Sequence, residues 1–355
     1  MKLIHCSDLH LDSKMEHNLT AQQARERNAE CCATFARLVR YAAEQDVTAV
    51  LIAGDMFDTE RASAQTAGFV LDQIRNAPQV DFLYLRGNHD VSGMEDQELP
   101  ENLKVFGPEW SSYCYENVVV AGLDLEQAGW EDRYDLLELS EETVNIVTLH
   151  GQVSTQSGED LIPLPRLKRK NIDYLALGHI HAHQEGKLDD RGTWCYCGCL
   201  EGRGFDECGQ KGFVLLETEE NRIRSRFVPF ARRTVWEVPV DISDLITAPQ
   251  IRSAMEHACG QIPAEDLVKV TLTGSFTLET QKDLTFLEKM MEGRFYFLKI
   301  KDETRLKIDK ETYEHDASLK GEFIRLVMAS DKSDAEKEQI ICCGIRALSG
   351  EEVEL

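Results

Sequence analysis

Five apolar runs in the first half of the chain each break off into polar residues of the same three kinds. "KLIHC" gives way to "SDLH", with Asp8 and His10. "VTAVLIA" gives way to "GDMFD", with Asp55 and Asp58. "VDFLYL" gives way to "RGNHD", with Asn88, His89 and Asp90. "VNIVTL" ends on His150, and "DYLAL" runs into "GHIHAH", with His179, His181 and His183. Runs this short and this apolar read as strands buried on both faces. Between the first three lie segments with helical spacing: residues 20–45, with Phe35, Leu38, Val39 and Ala42, and residues 62–77, which stop near Pro78. Strand and helix in alternation predict an α/β sheet with helices packed outside.

In such sheets ligands bind beyond the carboxyl ends of the strands. Five strand ends therefore deliver Asp8, His10, Asp55, Asn88, His150, His179 and His181 to one edge. Glycines at 54, 87, 151 and 178 let the backbone turn sharply or approach closely there. A spacing of two places Asp8 with His10, and His179 with His181, on one face of each strand. Oxygen and imidazole donors without thiolate suit Mn²⁺, Fe or Zn²⁺ in a hydrolytic site, with Mn²⁺ the expected ion and Mg²⁺ a further candidate. Seven donors exceed the needs of one ion with an open position. They fit two ions sharing a carboxylate, at the roughly 3.5–4 Å separation that clamps the attacking and leaving oxygens of a phosphoester. Any one strand-end His or Asp is commonly a cap; the inference rests on five in a row. Asp58 reads equally as the cap of the following helix, and His183 as a polar residue near the rim.

Composition narrows the class. No apolar stretch reaches the 18 residues that a membrane-spanning helix needs, and the start of the chain, "MKLIHCSDLHLDS", is interrupted too early for a signal peptide. An odd count of 11 cysteines with no export signal predicts free thiols in the cytoplasm. The net charge of −24, from 39 Lys and Arg against 63 Asp and Glu, argues against general binding to polyanions. Local basic stretches remain at "PRLKRKN" (165–171) and "NRIRSRFVPFARR" (221–233). There is no GxxxxGK[ST], so the chain carries no P-loop of its own.

Further along, a strand is expected over 192–200, a helix near 159–170, and a hairpin over 211–230 turning near 220–221. After Phe230 the pattern becomes β-α-β-α-β, a smaller α+β domain. Residues 318–347 read as one or two helices broken at "SDKSD" (330–334). The expected domains are 1–230, 231–317 and 318–355.

D-x-H, G-D-x-x-D, G-N-H-D, H-G and G-H-x-H in that order, over residues 8–181, resemble the calcineurin-like metallophosphoesterase family. The resemblance implies a two-layered β sandwich flanked by helices with two metals at the sheet edge. It assigns Asp8, His10 and His181 to the first metal, Asn88, His150 and His179 to the second, and Asp55 to the bridge. It leaves His89 to face the scissile phosphate as a catalytic group, with Asp90 holding it. "LIHCSDLHLDS", "GDMFDTERAS" and "YCGCLEGRGFDECGQKGF" (196–213) are similar to the branch of SbcD-type and YhaO-like DNA repair exonucleases.

That branch implies cleavage of DNA at ends, a capping domain, C-terminal helices docked on an SMC-like (SbcC-type) coiled-coil ATPase, and a homodimer. Candidates for a DNA-binding rim are Arg166, Lys168, Arg169, Lys170, Arg203, Arg222, Arg224 and Arg226. Two other functions stay open: a phosphoesterase of small or cyclic nucleotides, and a DNA-end tether that does not cut. Cys195, Cys197, Cys199 and Cys208 invite a zinc reading, although C-x-C-x-C is poor spacing for a tetrahedral knuckle.

Overall fold

A computed structural model describes residues 1–15, 19–58, 63–90, 94, 97–125, 133–156, 158, 160–219, 221–307 and 313–348. The chain divides into two compact units, Met1–Thr234 and Val235–Leu355.

The first unit is built on two six-stranded sheets. In chain order its elements are β1 (Lys2–Cys6), α1 (Ala21–Glu44), β2 (Ala49–Ala53), α2 (Ala64–Arg75), β3 (Asp81–Leu85), β4 (Leu103–Val105), β5 (Ser111–Tyr115), β6 (Val118–Gly122), β7 (Val144–His150), β8 (Gln152–Ser154), β9 (Leu161–Pro163), α3 (Leu164–Leu167), β10 (Tyr174–Gly178), β11 (Gln184–Lys187), β12 (Thr193–Tyr196), β13 (Gly212–Glu219) and β14 (Arg222–Pro229). One sheet runs β14-β13-β1-β2-β3-β4, the other β11-β12-β10-β7-β6-β5. β1 to β4 are mutually parallel, as are β6, β7, β10 and β12.

The apolar runs are continuous because each central strand is covered on both faces. In β2, Val50 and Ile52 pack with Phe35, Leu38 and Leu71 of the helices, while Ala49 and Leu51 pack with Val144, Ile146 and Tyr174 of the facing sheet. β10 divides likewise: Tyr174 and Ala176 point between the sheets, Leu175 and Leu177 outward. α1 starts at Thr20, whose side chain accepts from Gln23 N–H while Gln23 reaches back to the Thr20 N–H, a reciprocal cap. The sheets approach closely at Gly178, where a Cβ would lie 1.8 Å from the carbonyl oxygen of Ala53.

Two expectations are corrected. The helix expected near 159–170 is a three-residue strand, β9, and a single turn, α3. Pro163 holds its predecessor extended and sits at the helix start; Lys168 is already extended again at φ −63°, ψ 142°. The strand expected over 192–200 ends at Tyr196. Its alternation therefore does not carry on through the cysteines. Cys195 and Cys197 lie between the sheets, Cys199 faces Glu207, and Cys208 donates to the carbonyl of Phe205. The four cysteines do not form one zinc cluster among the described residues.

The second unit centres on a parallel sheet in the order β15 (Val235–Asp241), β16 (Leu267–Thr273), β18 (Phe297–Asp302). Helices α4 (Ala248–Ala258) and α5 (Leu284–Met290) form the connections, and β17 (Ser275–Phe276) pairs with β19 (Arg305–Leu306). Helices α6 (Leu319–Met328) and α7 (Asp334–Leu348) follow and share a small core of Ile324, Val327 and Ile341. The residues of "SGEEVEL" after Leu348 lie outside the described residues.

Candidate dinuclear metal centre

All seven strand-end donors meet at the carboxyl edge of the sandwich. Nε2 of His10 and Nε2 of His181 are 3.0 Å apart. Asp8 Oδ1 lies 3.9 Å from that His181 nitrogen. On the other side, His150 Nε2 is 3.0 Å from Asn88 Oδ1, and His179 Nδ1 is 3.3 Å from the same oxygen. Between the two groups stands Asp55. Its Oδ2 is 3.7 Å from His10 Nε2 and 3.4 Å from His150 Nε2, while Oδ1 accepts from the His89 N–H at 3.0 Å. One carboxylate oxygen thus faces both halves of the cluster.

The backbone at this edge is bent to bring the donors inward. Asp8 (φ 51°), His10 (φ 43°), Asp55 (φ 52°) and His179 (φ 103°) all adopt positive φ, a region that few non-glycine residues enter and that Asp and His enter more readily than most. Gly54, at φ 91°, allows the turn before Asp55, and a Cβ there would lie 2.0 Å from the His150 ring.

The other face of each imidazole decides what the inner nitrogens are. His10 Nδ1 lies 3.0 Å from Asp58 Oδ1, His181 Nδ1 lies 2.7 Å from Glu207 Oε1, and His150 Nδ1 lies 3.0 Å from the Ala53 carbonyl. Each partner is an acceptor, so each Nδ1 carries the proton and each Nε2 turns a lone pair inward. Arg203 closes the ring outside the first group. Its Nη1 donates to Asp58 Oδ1 and its Nη2 to Glu207 Oε1, both at 2.7 Å. The guanidinium therefore aligns both carboxylates that align both imidazoles.

The inward-facing set is all acceptors: imidazole lone pairs, two carboxylates and an amide oxygen. Two Nε2 lone pairs at 3.0 Å repel unless a cation or proton lies between them. With no metal bound, burial works against an imidazolium at His150, yet the Asp55 carboxylate outweighs it and holds the ring up at about 9, so a bound metal displaces a proton from its Nε2. Asp55 is likewise opposed by burial, but His150 and His10 pull it well below the carboxylate range. Asp58, also opposed by burial, is drawn down to about 2 by His10, Ser13 and Arg203. This donor set, hard oxygen and imidazole with a shared carboxylate, fits two divalent cations.

The geometry places four neighbouring residues, and for Asp90 and Asp58 it changes the expected role. Asp90 does not reach for His89. Its Oδ2 accepts from the N–H groups of Met56 and Gly87 and its Oδ1 from Phe57, so it clamps the loops after β2 and β3 to each other. His89 is exposed beside the cluster, its ring edge-on to His10 at 5.2 Å. Asp58 is not a helix cap; Ser63 caps α2 and Asp58 serves His10. His183 does not join the cluster: its Nδ1 lies 3.1 Å from the Tyr196 carbonyl and its ring stacks on Phe227 at 4.6 Å.

The rim of cations is not at this edge. Arg203 is a half-buried buttress. Arg166 pairs with Asp135, and Lys170 donates to the carbonyls of Asp135 and Leu137. Lys168 to Lys170 lead into the amino end of β10, the far side of the sheet, where the Arg169 N–H donates to Asp189 beside β12. Arg222, Arg224 and Arg226 line one face of the edge strand β14. Its Pro229 end pairs with Gly212 near the site, and its Arg222 end pairs with Glu219 at the opposite edge. Glu207 was missed in the sequence. Only its place four residues after Arg203 in "RGFDE" hinted at a paired acid.

Residues 1–183 match the family model for calcineurin-like phosphoesterases. The chain is 28% identical over 337 residues to a protein named uncharacterized metallophosphoesterase YhaO from Bacillus subtilis (strain 168), covering 86% of this chain and 82% of that one. It is 26% identical to the DNA double-strand break repair protein Mre11 of Haloferax volcanii, over 68% of this chain and 55% of the relative. It is 21% identical to the Mre11 of Saccharolobus solfataricus, over 99% and 96%. With the family model spanning more than half of its length, and with this donor set at the sheet edge, the chain belongs to the calcineurin-like phosphoesterases and is a phosphoester hydrolase.

Proposed function

We propose that the chain is a nuclease that hydrolyses DNA phosphodiester bonds at ends, with two Mn²⁺ ions as its cofactors. The observation that carries this reading is the extent of the likeness to proteins named for DNA double-strand break repair, which in one case runs through both compact units. Asp8, His10 and His181 would hold one ion, Asn88, His150 and His179 the other, and Asp55 both. Bound there, such ions supply Lewis-acid polarisation of a phosphoryl oxygen and lower the pKa of coordinated water. The chain's own residues orient and transfer protons. Asp58, Glu207 and Ala53 O fix the imidazoles, and Asp90 fixes the loop that presents Asn88 and His89. The exposed His89 ring would stabilise or protonate the departing 3′ oxygen.

In the same reading the chain works in the cytoplasm as a homodimer. An SMC-like ATPase partner supplies much of the grip on DNA, since the cations of 165–171 lie at the far edge of the sheet. Residues 231–317 act as a cap and 318–355 as the docking segment.

The test is hydrolysis by the purified chain with Mn²⁺ of end-labelled duplex and single-stranded DNA, beside bis(p-nitrophenyl) phosphate and a cyclic nucleotide. Nucleotide release from DNA ends that is lost in Asp55→Asn is expected. Turnover of the cyclic nucleotide alone, unchanged when an SMC-like ATPase is added, would overturn the DNA reading in favour of small nucleotides.

A further inference from the structure

A second donor cluster lies apart from the seven residues above. His183, Glu185 and Cys195 bring one ligand atom each within 4.8 Å of the others. The register explains why. β11 and β12 are antiparallel with Glu185 directly opposite Cys195, so both side chains leave the same face as cross-strand neighbours. His183 is two residues before Glu185 and shares that face. Cys195 Sγ lies 3.9 Å from His183 Nδ1. Tetrahedral zinc, with bonds of about 2.3 Å to sulfur and 2.0–2.1 Å to nitrogen, holds those two atoms about 3.6 Å apart. A movement of a few tenths of an ångström closes the difference, together with a shift of the ring proton from Nδ1, which lies 3.1 Å from the Tyr196 carbonyl, to Nε2.

The surroundings suit an ion bound by a thiolate. Cys195 is buried between the sheets, and Glu185 is exposed, which leaves a route in from solvent. The Tyr174 hydroxyl reaches the Cys195 sulfur and also lies 3.0 Å from His5 Nδ1. It is a donor placed to satisfy a thiolate. His183 stacks on Phe227 of β14, so the imidazole is held where the edge strands of the two sheets meet.

We propose that His183, Glu185 and Cys195 form a third metal site, for a thiophilic dication such as Zn²⁺, independent of the dinuclear centre. One thiolate, one imidazole and one carboxylate leave a fourth position for water. Binding converts the buried thiol to thiolate and releases its proton to solvent, so affinity rises with pH. Burial holds that thiol up at about 12 without metal, which makes the proton release a full equivalent at neutral pH. The ion would tie β11 to β12 just beyond the segment that carries His179 and His181.

The probe is Co²⁺ added to the metal-free full chain, followed by near-ultraviolet absorption. A thiolate-to-cobalt charge-transfer band is expected, complete by three equivalents because the dinuclear centre also takes Co²⁺, and bleached by Zn²⁺. The dinuclear set contains no cysteine and cannot give that band. C195S should abolish it. E185Q, at an exposed position, should keep the fold and weaken Co²⁺ binding at least about tenfold, with Mn²⁺-dependent diester hydrolysis unchanged. The proposal fails if no band forms, if the band survives C195S, or if E185Q binds Co²⁺ as tightly as the unmodified chain. Should C195S not fold, E185Q decides. Loss of diester hydrolysis in E185Q would place Glu185 in the dinuclear centre and also overturn the proposal.

Discussion

At the scale of single residues, the centre depends on groups that face away from it. Arg203 touches no candidate ligand oxygen, but it holds Asp58 and Glu207, which hold His10 and His181. Groups of this kind tune metal affinity by roughly 10–100-fold. Glu207→Gln and Arg203→Ala should therefore weaken Mn²⁺ binding by about that factor, measured by titration, with the fold intact. Affinity unchanged in both would mean that the ring is ornamental. His89→Ala should behave in the opposite way. It should retain both metals while kcat falls by roughly 10²–10⁴, the usual yield of a positioned acid or base. Collapse of metal content in that variant would remove His89 from the leaving-group role.

A different buried network links α1 to the loop that carries these buttresses. Arg27, fully buried, donates to Glu30, Glu201 and the Gly202 carbonyl, and Arg233 donates to Glu30. Burial opposes ionisation of Glu30, but the bonds from Arg233 and Arg27 outweigh it and hold its carboxyl below the ordinary value. A depressed carboxyl contributes stability in full above its unfolded pKa of about 4.3 and loses it as pH falls through the folded value. Glu30→Gln should cost about 3 kcal/mol at neutral pH. In urea unfolding, the gap to the unmodified chain should narrow as pH falls below about 4. A gap independent of pH would contradict the assignment.

At the scale of elements, the close approach of the two sheets is the point that tolerates least. A Cβ at Gly178 would meet the Ala53 carbonyl at 1.8 Å and His150 Nδ1 at 2.8 Å, and neither the strand β2 nor the ring can yield freely. Gly178→Ala should destabilise by about 1–3 kcal/mol or more and displace His150, so both the melting temperature and Mn²⁺ affinity should drop. A variant that melts like the parent would show that the sheets can part there.

The same sandwich explains what was legible in the sequence. Strands covered on both faces must be apolar throughout, so the polar residues at their ends stand out by contrast. All seven strand-end donors converge for that reason. The helix expected near 159–170 does not form because Pro163 and Pro165 interrupt it. β4 and β5 went unread because short, half-exposed strands such as β5 alternate too weakly. Glu207 and the true place of Arg203 lie in an irregular loop after β12, where no period marks a residue as inward. Cations in "PRLKRKN" could be counted in the sequence, but only the direction of β10 shows that they lie at the wrong edge.

At the scale of the whole molecule, an acidic chain of net charge −24 has to act on a polyanion if the proposed substrate is right. Two cations bound at the sheet edge would offset part of that charge where the substrate binds, and the account stands on them. The most direct measurement is metal stoichiometry: equilibrium dialysis of the metal-free chain against Mn²⁺, read by mass spectrometry. The account predicts two Mn²⁺ per chain, with Asp55→Asn losing at least one and all diester hydrolysis. A single Mn²⁺ per chain that Asp55→Asn leaves in place would contradict the shared-carboxylate centre.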